Sequence, residues 1–349
     1  MEEKLSKYTI DFNLSVKHAL EMLNELPETL TLFVLDMNNK LVGTLTDGDI
    51  RRNLLKGKSI DDKVSDFMFM DFRYIRLGEI SLPQIKEFKK MNLKQLPLLD
   101  ENNRIVNLID FTKQKSLLPL EVVLMAGGRG ERLRPYTDTV PKPLLEVGGK
   151  AIIERNIDRL IEYGVSKFNI TIKYLGDQLV DRFGDGGSRG VNIEFIREEE
   201  PLGTIGSVSL INNFSFNYVL VMNSDLLTNI DYEDFFQEFV NQNADMAVAS
   251  IPYKVDIPYA VLERDGNKIL SLKEKPTYTY FSNAGIYLIK RELLSRIPIA
   301  KYFNATDFME ELIAEKYNVV HYPINGYWLD IGKHDDFNRA QEDVKHIVF

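Results

Sequence analysis

The chain has no cysteine and only four histidines among its 349 residues. The lack of cysteine excludes disulfide bonds and thiolate ligands for a metal ion. The histidines, at positions 18, 321, 334 and 346, do not have the spacing of a metal site. Zinc is therefore not expected in this protein.

Long apolar runs are also lacking. No stretch approaches the ~20 apolar residues that span a bilayer, and the first residues, Met1 to Lys7, lack the apolar core of a signal peptide. These observations predict a cytoplasmic protein without membrane contact. The net charge of -9 lacks the basic excess that nucleic-acid binding requires, so no nucleic-acid partner is expected.

The charge is distributed unevenly along the chain. Residues 1–118 contain 18 basic and 18 acidic side chains, whereas residues 119–349 contain 25 and 34. The mixture of charge and proline between Lys113 and Leu120 indicates a linker. The sequence therefore predicts two domains, 1–118 and 119–349.

A weak internal repeat occupies the first domain. Each copy has an amphipathic helix, an apolar strand, a polar turn, a second strand and then the start of a further helix, beginning near Ser15 in one copy and near Ser81 in the other. Two half-units of this kind bury their apolar faces against one another. The pattern predicts a small α+β domain.

This repeat resembles a tandem pair of cystathionine-beta-synthase-type (CBS) motifs, most specifically from Gly43 to Ile50. In that family the residues matching Thr46 and Asp49 often bind the ribose of an adenosine nucleotide, and the paired motifs commonly self-associate. The resemblance thus implies a nucleotide ligand at the CBS pair and a homo-oligomer. The alternative is structural, because Thr46 and Asp49 are also suited to capping the helix that begins near Ile50.

From Glu121 onward, strand and helix candidates alternate. The segments are a strand at 122–126, a helix at 152–163, a strand at 169–173, a helix at 175–183, a strand at 191–196, a helix from Ile205 and a strand at 218–222. This alternation predicts a layered, Rossmann-like α/β domain with a mixed, mainly parallel sheet. Ligands of such sheets bind beyond the carboxyl ends of the strands.

A glycine-rich loop follows the first of these strands. Gly127, Gly128 and Gly130 allow the backbone N–H groups to approach an anion closely. Four cations lie within 14 residues of the sequence: Arg129, Arg132, Arg134 and Lys142. A polyphosphate ligand explains both features. The spacing excludes the two common nucleotide-binding loops. In the glycine-rich loop, Leu133 stands where a dinucleotide fingerprint has its third glycine. Elsewhere, residues 57–59 match the end of a Walker loop, but Arg52 stands where that motif has its first glycine.

The segments at 124–137 and 141–150 resemble the motif of the sugar-phosphate nucleotidyltransferases, whose catalytic domain has a GT-A-type fold. The resemblance covers nearly all of residues 121–345. It implies that the backbone of Met125, Ala126 and Gly127 faces the nucleoside, that Arg132 binds the triphosphate, and that Lys142 contacts the phosphates at the reacting centre. Glu131 departs from the family, which usually has threonine there.

Two acids are candidates for a metal site. Asp225 follows the apolar strand at 218–222, and Asp330 lies within Gly326–Gly332. Carboxylate oxygens suit Mg²⁺, which usually takes one or two protein carboxylates together with substrate phosphates. The resemblance implies that Asp225 and Asp330 hold that ion. Alone, each acid fits a turn or a helix cap equally well.

Shorter matches extend the resemblance to the sugar and the base. Glu274 would accept the sugar hydroxyls and Lys275 would contact the sugar phosphate, while Asn283 and Gly285 resemble a further sugar-contacting strand. For the segment of Glu274 and Lys275 alone, the alternative is a solvated charged turn. Gly203, in the segment 199–206, would allow close approach to the nucleotide base.

The implied reaction transfers a nucleotidyl group from a nucleoside triphosphate to a sugar 1-phosphate and releases pyrophosphate. The nucleophilic phosphate is already ionised near pH 7, so positioning and charge neutralisation by Arg132, Lys142 and Mg²⁺ suffice. Combination with a CBS pair resembles guanylyltransferases for mannose 1-phosphate and glucosamine 1-phosphate, which implies GTP. Two alternatives remain at this point: a metal-dependent glycosyltransferase, and an inactive nucleotide-sensing protein.

Overall fold

In the computed structural model, the described part of the chain comprises residues 5–26, 31–76, 82–347 and 349. The chain divides into two compact units, Met1–Leu117 and Leu118–Phe349. This division lies one residue from the predicted boundary. None of the described helices is long and apolar enough to cross a membrane.

The first unit contains two three-stranded sheets with the same internal arrangement. Their elements are β1 (Thr9–Asp11), α1 (Val16–Glu25), β2 (Thr31–Leu35), β3 (Leu41–Thr46) and α2 (Asp47–Leu54), then β4 (Ile75–Arg76), α3 (Leu82–Lys90), β5 (Gln95–Leu99) and β6 (Ile105–Asp110). In each sheet the first pair of strands is parallel and the second is antiparallel. The internal repeat is therefore confirmed.

The two copies differ after their last strand. β3 leads directly into α2, whose N-terminus is capped by Thr46. β6 is followed instead by a turn at 111–113, so the expected start of a helix in the second copy is wrong. Helix α2 begins at Asp47, earlier than the predicted start near Ile50, because the Thr46 side chain caps it.

The second unit is built on a seven-stranded sheet. Its strands are β7 (Leu120–Ala126), β10 (Lys167–Ile172), β11 (Asn192–Arg197), β12 (Tyr218–Asn223), β14 (Met246–Asp256), β17 (Thr277–Lys290) and β18 (Val319–Pro323). They lie in the order β11-β10-β7-β12-β17-β14-β18. Only the two pairs formed by β17 are antiparallel. The predicted mixed, mainly parallel α/β sheet is confirmed.

The remaining elements of this unit are helices and short strand pairs. The helices are α4 (Ile152–Glu162), α5 (Asp177–Phe183), α6 (Tyr232–Asn241), α7 (Ala305–Ala314) and α8 (His334–Asp343). The strand pairs are β8 (Glu146–Val147) with β9 (Lys150–Ala151), β13 (Leu226–Thr228) with β19 (Trp328–Asp330), and β15 (Val261–Asp265) with β16 (Lys268–Lys273).

The helix predicted from Ile205 is wrong. The structure has a short 3-10 helix at Gly206–Leu210 instead. A Cβ on Gly206 would lie 2.4 Å from the carbonyl oxygen of Lys301, and the carbonyl of Phe303 accepts from the N–H groups of Ile205 and Gly206. These contacts with a distant segment fix a local conformation that sequence periodicity cannot predict.

Candidate active site

A cavity of about 670 Å³ lies at the carboxyl end of β7. Among the residues that line it are the predicted loop residues Met125, Ala126, Gly127, Gly128 and Gly130, together with Arg132, Lys142, Gly203 and Asp225. The structure therefore brings together most of the residues that the sequence assigns to the nucleotide and its phosphates. Gly130 has a φ of +63°, and a Cβ there would lie 3.0 Å from the side chain of Lys142.

The two candidate metal ligands meet through the short pair β13 and β19. Leu226 is the register partner of Asp330, so Asp225 lies beside Asp330 although the two are 105 positions apart in the sequence. The ammonium of Lys142 contacts both acids: it forms a direct ion pair with Asp225, and it lies 3.6 Å from an Oδ1 of Asp330. One carboxylate oxygen of each acid is buried without a hydrogen-bond partner.

These orphaned oxygens fit a divalent cation. Hard carboxylate oxygens are suitable ligands for Mg²⁺, and two of them with substrate phosphates complete its usual coordination. Burial, and secondarily the charge of Asp225, raises the pKa of Asp330, while Lys142 and Arg132 oppose the shift. The chemistry of this pair therefore agrees with the predicted metal site. No group of three or more metal-ligating acids or histidines occurs among the described residues.

Buried contacts hold Asp225 in position. The neighbouring Ser224 donates its hydroxyl to the carbonyl of Met125, at 2.7 Å, which fastens the end of β12 to the glycine loop. The side-chain amide of buried Asn156 donates to the carbonyls of Ser224 and Leu226, on both sides of Asp225. The backbone N–H of Ser224 also donates to the Met125 carbonyl, at 3.2 Å, so two hydrogen bonds join these strands next to Asp225.

An apolar cluster anchors the segments that carry the charges. Leu133, Leu227 and Ile331 are almost fully buried in it, and each is one or two residues from Arg132, Asp225 or Asp330. Gly332 allows the guanidinium of Arg132 to approach, because a Cβ at this position would lie 3.3 Å from it. Interdigitated apolar packing thus sets the spacing of the polar site.

Sequence reasoning missed Glu198, which lines the same cavity. Its carboxylate lies against the glycine loop, since a Cβ on Gly127 would be 2.7 Å from Oε1. Only 8% of the residue is exposed, and burial raises its pKa, although the backbone N–H of Leu202 donates to it at 3.4 Å. Its position directly after β11 was the available signal, because ligands bind where parallel strands end.

The base segment and the sugar strand lie close to this cavity. Gly203 has a φ of +78°, and a Cβ there would lie 2.5 Å from the carbonyl oxygen of Phe303. The close packing of these two backbone segments therefore requires glycine, independently of any ligand. Gly285 contacts Asn223, a lining residue, since a Cβ would lie 2.6 Å from its amide nitrogen. The side chain of Asn283 accepts from the N–H of Gly285 at 2.9 Å.

Glu274 and Lys275 are placed differently from the other predicted residues. Both are exposed, and neither is among the described residues that line the cavity. They lie between β16 and β17, where Lys275 has a φ of +43°. Their contacts with the sugar and its phosphate therefore stay a prediction.

A second cavity, of about 680 Å³, lies within the first unit. Thr46 and Asp49 line it, together with residues from the second copy of the repeat. The same two side chains form a reciprocal cap on α2, and the carboxylate of Asp49 also accepts from Arg52 at 2.6 Å. The capping role is thus present, and nucleotide binding by Thr46 and Asp49 stays a prediction.

The chain belongs to the nucleotidyl transferase family, whose model matches residues 121–346. A second model, the CBS domain, matches residues 6–56. The family that the segments at 124–137 and 141–150 resemble is therefore confirmed.

Among its relatives is the bifunctional protein GlmU of Methanocaldococcus jannaschii, 30% identical over 230 residues, which are 64% of this chain and 54% of that protein. Thus the chain spans about half the length of that relative. D-glycero-alpha-D-manno-heptose 1-phosphate guanylyltransferase of Aneurinibacillus thermoaerophilus is 25% identical over 66% of this chain and its own full length. Among solved structures, HddC from Yersinia pseudotuberculosis matches 64% of this chain and 99% of its own, with 25% identity and a TM-score of 0.51.

Proposed function

We propose that this protein transfers a nucleotidyl group from GTP to a sugar 1-phosphate, with glucosamine 1-phosphate and mannose 1-phosphate as the sugar substrates to test first. The observation that carries this proposal is the convergence of the glycine loop, Arg132, Lys142 and Asp225 on one cavity, with Asp330 next to Lys142. A glycosyltransferase would need the acids but not this cluster of cations. A relative that acts as a guanylyltransferase on a sugar 1-phosphate supports the same reaction.

In this reaction an oxygen of the sugar 1-phosphate forms a bond to the α-phosphorus of the nucleotide. The bond from the α-phosphorus to the bridging oxygen breaks, and pyrophosphate leaves with the electron pair. No general base is needed, because the attacking phosphate oxygen is already ionised. Catalysis then depends on alignment and on neutralising the phosphate charge.

The residues of this chain divide these tasks. The backbone of the loop at Gly127–Gly130 would bind the phosphates, and Arg132 and Lys142 would neutralise their charge. Asp225 and Asp330 would hold Mg²⁺, which would supply Lewis-acid neutralisation of the phosphate charge. Because Lys142 contacts both acids, its ammonium would lie close to phosphates that bind beside this pair.

Glu198 supports guanine as the base. Among the common bases, only guanine presents two adjacent N–H donors, N1–H and the N2 amino group, on one edge. A carboxylate accepts two parallel hydrogen bonds in this geometry. Glu198 lies in the cavity against the glycine loop, and a buried carboxylate gains most from such a donor pair.

The direct test is a matrix assay. The full chain with Mg²⁺ is offered ATP, GTP, CTP, UTP and dTTP, each with a panel of sugar 1-phosphates, and pyrophosphate release and the nucleotide-sugar product are measured. We expect turnover with GTP and with at least one of the two named sugars. Turnover with UTP or dTTP instead would refute the guanine assignment, and no pyrophosphate with any pair would refute the activity.

A further inference from the structure

Four neighbouring strands, in the order β12-β7-β10-β11, end at the cavity. Asp225 comes shortly after β12, the glycine loop follows β7, Lys173 follows β10 directly and Glu198 follows β11 directly. All of these positions line the cavity. With about 4.8 Å between adjacent strands, the edge from β12 to β11 is about 14 Å long. A nucleotide that lies along this edge, with its phosphates at Asp225 and the glycine loop, directs its base toward Lys173 and Glu198.

Lys173 and Glu198 occupy equivalent positions on two paired strands. The last register pair of β10 and β11 is Ile172 with Arg197, so Lys173 and Glu198 are the next residues of each strand. The backbone N–H of Glu198 donates to the carbonyl of Ile172 at 2.9 Å, which holds the two strand ends together. Burial raises the pKa of Glu198, and the positive charge of Lys173 is among the effects that oppose this shift. The two side chains thus place opposite charges next to each other at one end of the cavity.

The contacts of Lys173 place its ammonium on the base side of the cavity. It donates to the carbonyl of Glu199 and lies 3.9 Å from an oxygen of the Glu200 carboxylate. Both partners belong to the segment after β11, whereas the glycine loop follows β7, on the other side of β10. The Glu199 carbonyl takes one of the three N–H donors of the ammonium, and an ion pair with an exposed residue such as Glu200 is weak. Lys173 therefore has donors left for a ligand at this end.

The adjacent ammonium and carboxylate match one base. Guanine carries the acceptor O6 beside its donors N1–H and the N2 amino group, whereas adenine and cytosine carry an amino donor where guanine has O6. An ammonium can only donate, so it leaves that amino group without an acceptor. Uracil and thymine have an acceptor there but only one N–H beside it. Among the common bases, guanine alone satisfies both side chains.

We propose that Lys173 donates a hydrogen bond to O6 of guanine and so determines base specificity together with Glu198. This inference rests on the proposed function and deepens it, because that proposal assigns only Glu198 to the base. Lys173 selects against adenine and cytosine, and Glu198 selects against uracil and thymine. Selection of this kind is strong, since a wrong base leaves polar groups of the site without partners.

Binding of two nucleotides to Lys173→Met tests this contact. Methionine retains an unbranched apolar chain and removes the donors. Calorimetry with Mg²⁺ and without sugar 1-phosphate gives the Kd for GTP and for 6-thio-GTP, in which sulfur, a weak acceptor, replaces O6 while both donors remain. Relative to wild type, we expect the Kd for GTP to rise about 10- to 150-fold, the value of a charge-assisted hydrogen bond, and the Kd for 6-thio-GTP to rise less than about threefold.

Equal losses for the two nucleotides would overturn the proposal, because they would place Lys173 on the phosphates. Unchanged affinity for GTP would overturn it as well. Lys254→Met is the matched control: it removes the same charge from an exposed residue of the same unit that is not among the described lining residues, and it should leave both Kd values within about twofold.

Base preference gives a second readout. In pyrophosphate release, Lys173→Met should narrow the preference of wild type for GTP over ATP by at least about tenfold, and an unchanged preference would contradict the role of Lys173. The nearly normal affinity of the variant for 6-thio-GTP shows that it is folded. A wild-type protein that binds UTP or dTTP in place of GTP would refute the proposed guanine specificity and this inference with it, whereas equal losses for GTP and 6-thio-GTP would refute this inference alone.

Discussion

Replacing Glu198 by glutamine tests the guanine assignment at a single atom pair. The substitution keeps the size of the side chain and one carbonyl oxygen, but it replaces the second acceptor by an N–H₂ donor. That donor would face an N–H of guanine. A hydrogen bond to a charged group contributes about 1.5–3 kcal/mol, so we expect the KM for GTP to rise roughly 10- to 150-fold. The value of kcat at saturating GTP should change little, since Glu198 would contact the base and not the reacting phosphates.

The neighbouring Glu199→Gln is the matched control. Glu199 belongs to the same run of three glutamates, but it is exposed and is not among the described residues that line the cavity. Its substitution should leave the KM for GTP within about twofold, which corresponds to the small energies of exposed charges. Steady-state pyrophosphate release gives both constants. An unchanged KM for GTP in a folded Glu198→Gln variant would refute this use of the carboxylate.

The raised pKa of Glu198 adds a pH dependence. Only the ionised carboxylate accepts both guanine donors, so the KM for GTP should increase as the pH falls through this raised pKa. Glu198→Gln should lack this dependence. The stability of the protein without ligand has the opposite pH dependence. Because folding raises the pKa of Glu198, ionisation of its carboxyl destabilises the fold, and the stability that Glu198 contributes at low pH is lost as the pH rises. The glutamine variant should therefore melt above wild type at pH 7, and this difference should shrink toward acid pH.

Three further predictions concern the other charged positions. Lys142→Ala should lower kcat about 10²- to 10³-fold, because it removes a cation from the reacting phosphates. Lys290→Ala is the control: it breaks a comparable ion pair with Asp245 outside the cavity and should retain near-normal pyrophosphate release. Equal effects of the two substitutions would contradict the assignment of Lys142. Asp225→Asn and Asp330→Asn should each abolish Mg²⁺-dependent turnover. They should also abolish the rise in melting temperature that Mg²⁺ with GTP is expected to give wild type. Retained activity in either variant would contradict the assignment of that residue as a metal ligand. Thr46→Ala should lower the free energy of unfolding by about 1 kcal/mol through the lost helix cap, as measured by denaturant unfolding. It should also abolish any heat of AMP binding that calorimetry detects with wild type. Unaltered AMP binding would contradict the ligand role of Thr46.

Much of the fold could be predicted because its information is local. The strand at Leu120–Ala126 is apolar except for Glu121 and is followed at once by glycines and cations, so strand, loop and ligand class are all readable within 25 residues. The parallel neighbours β10 and β12 have the same apolar character, and each is buried within the sheet. Helix α4 ends two residues before Gly164, close to the predicted end.

The parts that depend on distant contacts could not be predicted. The pairing of Leu226 with Asp330 fixes the acid pair, yet no local pattern joins two strands of three residues so far apart. Glu198 was missed because its sequence neighbours are also glutamates; its place directly after β11 hints at a ligand contact, and its packing against Gly127 shows that it is buried. The exposed position of Glu274 and Lys275 follows from the length of the antiparallel pair β14–β17, which motif matching does not measure.

The late position of β19 in the chain has a consequence for protein synthesis. The acid pair exists only when Trp328–Asp330 has paired with Leu226–Thr228, and Ile331 must then be buried in the apolar cluster beneath. A nascent chain that has already folded its parallel strands still lacks half of the acid pair until residue 330 has left the ribosome. Incomplete chains would therefore carry a glycine loop that can hold nucleotide but no means of consuming it, and catalysis would be the last property that the protein acquires.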